Sequence, residues 1–117
     1  MSNVNIKRIY EPYSKSDGYR ILIDRLWPRG IKKENAHIDK WLKDIAPSTE
    51  LRKQFNHQPE KWAQFIPAYL SELNNSPVVK ELLADINNHS TVTLLFAASD
   101  VEHNHALVLQ QFVNQQL

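Results

Sequence analysis

Three stretches of the chain carry the apolar pattern of β-strands. Residues 3–10 mix apolar and polar side chains, which predicts a short, half-exposed strand. Residues 19–26 form a second strand, and Pro28 ends it, because proline has no backbone N–H and holds Trp27 in extended geometry. Residues 91–98 are apolar almost without alternation, which is typical of a strand covered on both faces.

Between the second and third strands the apolar residues change to helical spacing. Four helices are predicted there, at residues 38–45, 48–55, 59–73 and 77–86. Ser48 is the expected N-cap of the second of these helices. Pro67 lies inside the third and is expected to kink it, since an interior proline costs on the order of 3 kcal/mol.

A fifth helix is predicted after the last strand. Ser99 and Glu102 fit the capping box S-x-x-E, so this helix is expected from about Val101 to Gln115. The order of elements predicts a small three-layer α/β domain with a short, mostly parallel sheet and helices on both faces. The loop joining the first two strands is short for a helical crossover, so these strands can pair in either direction.

Composition and charge narrow the possible classes of protein. The 117 residues fit one domain, covering residues 1–117, and the formal net charge of +1 gives no general argument for nucleic acid or membrane. The absence of cysteine excludes disulfides, thiolate metal sites and cysteine nucleophiles. No apolar run approaches the roughly 20 residues that span a bilayer, and residues 1–7 show neither the apolar h-region nor the cleavage site expected of a signal peptide. A soluble cytoplasmic protein is therefore expected.

Polar and charged residues gather where two of the predicted strands end. In open α/β sheets, ligands bind outside the carboxyl ends of the strands. The loops at residues 24–30 and 97–105 follow the two most apolar strands. If these two strands are parallel neighbours, both loops open at the same edge of the sheet and form the two sides of a ligand site.

The first of these loops offers groups that bind anions. Arg25 and Arg29 have the guanidinium geometry that holds carboxylate or phosphate through two hydrogen bonds. Asp24 is a candidate catalytic base, or the residue that orients an arginine. Trp27 is a candidate ligand contact, and Gly30 permits a backbone turn that other residues resist. The structural alternative is an ion pair between Asp24 and one arginine.

The second loop contributes amide and imidazole groups. His105 is the candidate catalytic acid or base near neutral pH, and Asn104 is a candidate ligand contact. His103 and His105 are two positions apart and do not share a helix face, so joint binding of a metal is not expected. Arg52 is expected to fold over the strand ends as a further ligand contact. The structural interpretation, that these residues only cap or cover a helix, is favoured for each histidine by itself.

Three functional hypotheses follow from these residues. The leading one is a small enzyme or ligand-binding protein for an anionic molecule bearing phosphate or carboxylate. The second is a module that binds protein or nucleic acid through the basic residues 20–33 and an exposed Trp27, although the near-neutral charge argues against nucleic acid as a partner. The third is structural, with Asp24, Arg25 and Arg29 holding the helices onto the sheet. No phosphate-binding loop, dinucleotide fingerprint or zinc spacing is present, so no metal or cofactor is assigned.

The chain also resembles a known family, the DUF488 family, and within it the YeaO-like branch of small bacterial proteins. The resemblance covers nearly the whole chain and rests on residues 16–30 with Asp-Arg-Leu-Trp-Pro-Arg-Gly, residues 41–52, Phe55 with His57, and residues 93–100 and 104–109. It implies a compact α/β domain of uncharacterised function. The motif positions carried over are Asp24, Arg25, Trp27, Pro28, Arg29, Gly30, Ser48, Arg52, Asn104 and His105.

This chain departs from other branches of that family in one respect. Those branches have a Cys-His-Arg signature just after the last strand, which implies thiol chemistry. Here the same neighbourhood reads His103-Asn104-His105, and the chain contains no cysteine. The resemblance therefore does not carry a thiol mechanism over to this protein.

Overall fold

A four-stranded, fully parallel sheet forms the centre of the structure, a computed structural model that describes residues 3–117. The strands are β1 (Asn3–Arg8), β2 (Tyr19–Leu22), β3 (Lys40–Trp41) and β4 (Thr91–Phe96), and their order across the sheet is β1-β4-β2-β3. β1 and β2 do not pair with each other, because β4 lies between them and is parallel to both. Residues 1 and 2, part of the predicted domain, lie outside the described range.

The helices are α1 (Lys33–Ala36), α2 (Thr49–Phe55), α3 (Trp62–Asn74), α4 (Val78–Asn87) and α5 (His105–Gln116). Short 3-10 turns occupy Lys15–Asp17, Lys43–Ile45 and Pro59–Lys61. Pro67 lies inside α3, which continues on both sides of it. Within residues 3–117, no helix has the length and apolar character needed to cross a membrane.

Both faces of the sheet are covered, but by different amounts of helix. On one face, Ile21 and Leu94 belong to the main core together with residues of α2, α3, α4 and α5. On the other face, Leu22 and Leu95 pack against Trp27 and the segment that follows it, which includes the single turn of α1. The predicted α/β class, and the prediction that the last strand is covered on both faces, are confirmed.

The prediction of a helix at residues 38–45 is wrong. The structure has the edge strand β3 there, followed by the 3-10 turn. The backbone N–H of Asp39 donates to the carbonyl of Arg20, and that of Leu42 donates to Leu22, both at 2.9 Å. The open edge of β2 therefore takes the hydrogen bonds of this segment, and this tertiary pairing outweighs the helical spacing of its apolar residues.

The predicted start of the last helix is also wrong. α5 begins at His105, and its N-cap is Asn104, whose Oδ1 accepts from the backbone N–H of Leu107 at 3.1 Å. Ser99 caps nothing. The carboxylate of Asp100 accepts from the backbone N–H groups of Glu102 and His103 at 2.9 and 3.0 Å, which closes a turn where the first helical turn was expected.

A buried ionic cluster fastens the second face of the sheet. Asp17 accepts from Lys7 Nζ at 3.0 and 3.1 Å and forms an ion pair with Arg20. The same guanidinium donates to the carbonyls of His37 at 2.9 Å and Ala36 at 3.2 Å. The Asp17 carboxylate thereby joins β1 to β2, and the Arg20 guanidinium extends this connection to the end of α1. Each charge of the cluster has an oppositely charged partner, which offsets the free-energy cost of burying it.

Candidate functional site

A cleft of about 1210 Å³ opens at the carboxyl ends of the strands. β2 and β4 are adjacent and parallel, so the loops that follow them lie on the same edge of the sheet. Both loops line this cleft, together with the end of β1 and residues of α2. The two apolar strands are therefore parallel neighbours, as the predicted two-sided site required.

Most of the predicted site residues line this cleft. They are Asp24, Arg25, Trp27, Arg29, Arg52, Asn104 and His105. Gly30 is not one of the lining residues. It has a φ of 76°, and an added Cβ would meet no atom within 4 Å, so its contribution is to the backbone turn.

Asp24 and His105 form a close pair at the end of β2. Asp24 Oδ2 accepts from the backbone N–H of Ala97 at 2.9 Å, which joins the ends of β2 and β4. Its other oxygen, Oδ1, is buried, makes no hydrogen bond within the described residues, and lies 3.2 Å from His105 Nε2. The same nitrogen lies 3.1 Å from the carbonyl oxygen of Ile23. Because a carbonyl oxygen only accepts, Nε2 carries the hydrogen and donates it to Ile23.

Two cleft-lining arginines are used to hold the chain together. The guanidinium of Arg25 donates to the carbonyls of Ala46 at 3.2 Å and Pro47 at 3.4 Å. The guanidinium of Arg8 donates to the carbonyls of Ala98 at 2.9 Å and Ala97 at 3.3 Å. These two side chains keep the walls of the cleft in place through backbone carbonyls, and the buried Nε of Arg25 has no hydrogen-bond partner among the described residues.

The three other basic residues of the cleft have no such partners. The side chains of Arg29, Arg52 and Lys53 are exposed and form no hydrogen bond or ion pair with residues 3–117. They come from different elements, since Arg29 follows β2 and the other two lie in the last turn of α2. Three uncompensated positive charges therefore border one cleft.

Helix α2 holds two of these charges over the strand ends. Ser48 caps the helix as predicted, because its hydroxyl accepts from the backbone N–H of Leu51 at 3.1 Å. The same hydroxyl donates to Glu72 of α3 at 2.5 Å, and the backbone N–H of Ser48 donates to the other oxygen of that carboxylate at 2.8 Å. Leu51 and Phe55 are buried beneath the helix. Arg52 consequently lies on the exposed side of a helix that is fixed at its start and along its inner face.

Trp27 is half-buried and not the exposed platform that the sequence suggested. Its indole N–H donates to the carbonyl of Ile31 at 2.7 Å, and its ring contacts Trp41 edge to face with centroids 5.5 Å apart. Lys33 Nζ lies 5.9 Å from the ring centroid. These contacts fix Trp27 as a wall of the cleft and leave little of its ring for stacking with a ligand.

Asn104 and His103 are engaged within their own loop. Asn104 is buried, caps α5 and donates from its amide to the carbonyl of Asp100 at 2.9 Å. His103 Nδ1 lies 2.9 Å from Asp100 Oδ2, and its ring meets Trp62 edge to face. The pKa of Asp100 is lowered, first by the hydrogen bond from the backbone of Glu102 and then by His103. His103 and His105 thus have separate carboxylate partners, and residues 3–117 contain no group of three metal-ligating side chains.

Sequence reasoning missed several residues that line the cleft. Arg8 is the last residue of β1 and Tyr10 follows the strand, and both reach the site because β1 is the neighbour of β4. Lys53 was not distinguished from other exposed lysines. Asn56 and His57 have φ values of 46° and 54°, two consecutive non-glycine residues in the left-handed region. Of these residues, only His57 is among those that carry the family resemblance.

Comparison with known proteins places the chain in a family. It belongs to the DUF488 family, since a family model described as "Inactive DUF488-N3 subclade" matches residues 3–117. The uncharacterized protein YeaO of Escherichia coli (strain K12) is 49% identical over 111 residues, covering 95% of this chain and 96% of that protein. The predicted YeaO-like family is thereby confirmed.

Less similar bacterial relatives also match over nearly the whole chain. The uncharacterized protein Rv3073c of Mycobacterium tuberculosis (strain ATCC 25618 / H37Rv) is 41% identical over 113 residues, which are 97% of this chain and 95% of that protein. The uncharacterized protein Mb3100c of Mycobacterium bovis (strain ATCC BAA-935 / AF2122/97) has the same identity and coverage. No solved structure matches the chain.

Proposed function

We propose that this protein binds an anionic small molecule, bearing phosphate or carboxylate groups, in the cleft at the carboxyl ends of its strands. The observation that carries the proposal is the set of unpaired cations at the cleft, above all Arg29 and Arg52. An exposed cation is unremarkable when it is isolated. Two arginines that border one concave surface and lack internal partners have the geometry for bidentate anion binding.

The charge balance of the cleft supports an anionic ligand. Its arginine and lysine side chains are Arg8, Arg25, Arg29, Arg52 and Lys53, against the two carboxylates Asp24 and Asp100. Both carboxylates already accept hydrogen bonds from backbone N–H groups. The excess positive charge therefore lies with the groups that have no partner, where an arriving anion would meet it.

Binding without turnover is favoured over catalysis. The family model that matches the chain is described as inactive, and the chain has no cysteine. We propose that Asp24 and His105 hold the ends of β2, β4 and α5 together through the contacts of Asp24 with Ala97 and of His105 with Ile23. Asn104 supports the same arrangement as the cap of α5 and fixes the start of the helix that carries His105.

An acid–base enzyme is the second candidate, because Asp24 and His105 approach within 3.2 Å at the floor of the cleft. Incubation with simple phosphate esters would detect it. If product forms and is lost in both Asp24→Asn and His105→Gln, the pair is catalytic and the binding proposal is incomplete. The nucleic-acid module is less well supported, since Trp27 is half-buried and hydrogen-bonded to its own loop.

Calorimetric titration with pyrophosphate tests the proposal directly. Arg29→Ala and Arg52→Ala are each expected to weaken binding about tenfold or more, since a hydrogen bond to a charged group contributes roughly 1.5–3 kcal/mol. Lys80→Ala is the matched control. Lys80 is exposed on α4, so this substitution removes one positive charge at a position away from the cleft. Equal weakening in all three variants would indicate a general charge effect and would contradict a site at this cleft.

A further inference from the structure

Tyr10 is an aromatic side chain for which the anion site has no obvious use. It follows β1, lines the cleft and is 44% exposed. Of the large apolar side chains that are exposed in the described part of the chain, only Tyr10 and Leu26 line the cleft, and Tyr10 is the aromatic one. Tyr10 therefore offers partly exposed aromatic surface inside a cationic cleft.

The ring of Tyr10 is held in place from two sides. Its hydroxyl donates to the backbone carbonyl of Arg29 at 3.0 Å. The guanidinium carbon of Arg8 lies 5.2 Å from the ring centroid, and Arg8 is itself fixed by the carbonyls of Ala97 and Ala98. Tyr10 is therefore an ordered platform that is tied to the residue carrying one of the unpaired guanidinium groups. An ordered platform lowers the entropic cost of binding a planar group.

We infer that the anionic ligand is a nucleotide, whose base stacks on Tyr10 while its phosphates bind Arg29 and Arg52. This inference rests on the proposed function and narrows it to one class of ligand. A carboxylate or a bare phosphate would use the arginines and leave Tyr10 without a role. Stacking on an aromatic side chain accepts any base, because every base presents a π-face.

The dimensions of the cleft agree with a ligand of this class. Its volume of about 1210 Å³ is large enough for a nucleotide, since sites for small molecules usually have about 300–1,000 Å³. A phosphate ion would fill a small part of that space. Leu26, which is 66% exposed and lines the same cleft, adds apolar surface near the start of the loop that carries Arg29. A ligand with a planar apolar part and a charged part matches both the apolar surface of Tyr10 and Leu26 and the positive charge of the arginines in this cleft.

Calorimetric titrations with ADP and pyrophosphate separate the base from the phosphates, since both ligands carry a diphosphate. ADP is expected to bind the full-length protein about five- to a hundredfold more tightly than pyrophosphate, the range that stacking of one base supplies. Tyr10→Ala should remove this preference, measured as the ratio of the ADP and pyrophosphate affinities of the same variant, because any effect on Arg29 of losing the Tyr10 hydroxyl applies to both ligands. Tyr10→Phe keeps the ring and should retain most of the preference.

Tyr13→Ala is the matched control. Tyr13 is 47% exposed, has the guanidinium of Arg20 over its ring at 5.2 Å and stacks on His37, but it does not line the cleft. Its removal should leave the preference for ADP intact. If ADP and pyrophosphate bind the native protein equally, the inference of a nucleotide is overturned and the anion site remains. If neither ligand binds, the anion site is overturned as well.

Discussion

Arg25 and Arg29 show how two identical side chains in one loop serve different purposes. Four positions apart, they are indistinguishable by residue type, and the sequence assigned both to anion binding. Arg25 turns inward to the carbonyls of Ala46 and Pro47, whereas Arg29 remains exposed. The difference comes from where the segment of Ala46 and Pro47 is placed by tertiary packing, which no local pattern records.

Replacement of these two arginines should therefore affect the stability of the fold to different extents. Arg25→Ala is expected to lower the free energy of unfolding by about 1–2 kcal/mol, because it leaves buried carbonyl groups without donors. Arg29→Ala should change it by less than about 0.5 kcal/mol, as expected for an exposed side chain without partners. Urea denaturation at neutral pH measures both. A large loss of stability in Arg29→Ala would support the structural hypothesis for that residue.

Asp17 gives the protein a defined sensitivity to acid. Burial acts to raise the pKa of Asp17, but hydrogen bonds from Lys7, the backbone of Ser14 and Arg20 outweigh it and lower the pKa below the ordinary value. Because the folded pKa is lower than the unfolded one, the stabilisation is fully present above about pH 4 and is lost as the pH falls through the folded pKa.

Asp17→Asn should thus be destabilised at pH 7 and should show a flatter dependence of stability on pH below about 4 than the native protein. Thermal unfolding over a series of acid buffers measures this dependence. Asp44→Asn is the control, because the Asp44 side chain is 67% exposed and its one ion pair, with Arg25, spans 3.6 Å. Parallel pH profiles for Asp17→Asn and the native protein would contradict the assigned role.

At the scale of elements, the sequence predicted most helices and strands, and failed where two signals competed. The pattern at 49–55 led to the correct helix, because Ser48 is both a good cap and the residue that the structure uses. At 99–104 the capping box favoured Ser99, but Asp100 and Asn104 are also residue types that cap helices. Asp100 closed a turn with Glu102 and His103, which left Asn104 as the first residue free to cap α5.

Variants at Asn104 and Ser99 compare the observed N-cap of α5 with the predicted one. Asn104→Ala is expected to lower the free energy of unfolding by about 1–2 kcal/mol, since it removes the acceptor for Leu107 N–H and leaves a buried gap. Ser99→Ala, at the position that the sequence favoured, should change it by less than about 0.5 kcal/mol. Equilibrium denaturation of both variants measures the difference. The reverse order of effects would restore the capping box at Ser99.

At the scale of the whole molecule, the order of strands builds the cleft. Since β4 is inserted between β1 and β2, three strand ends meet at one edge. Tyr10 and Arg8 thereby reach the loops that follow β2 and β4. The sequence predicted the loops that follow β2 and β4 as parts of the site, because the apolar patterns of these two strands indicated that they are covered. It could not predict the third, since the pairing of a half-exposed strand leaves no trace in its own pattern.

The central claim is that this cleft binds an anion. Amide NMR spectra recorded during titration with pyrophosphate test it most directly, because they report every backbone position at once. The predicted result is a saturable set of shifts confined to residues 24–30, 52–57 and 97–105, with the largest changes near Arg29 and Arg52. Absence of saturable shifts, or shifts confined to residues far from this edge of the sheet, would contradict the claim.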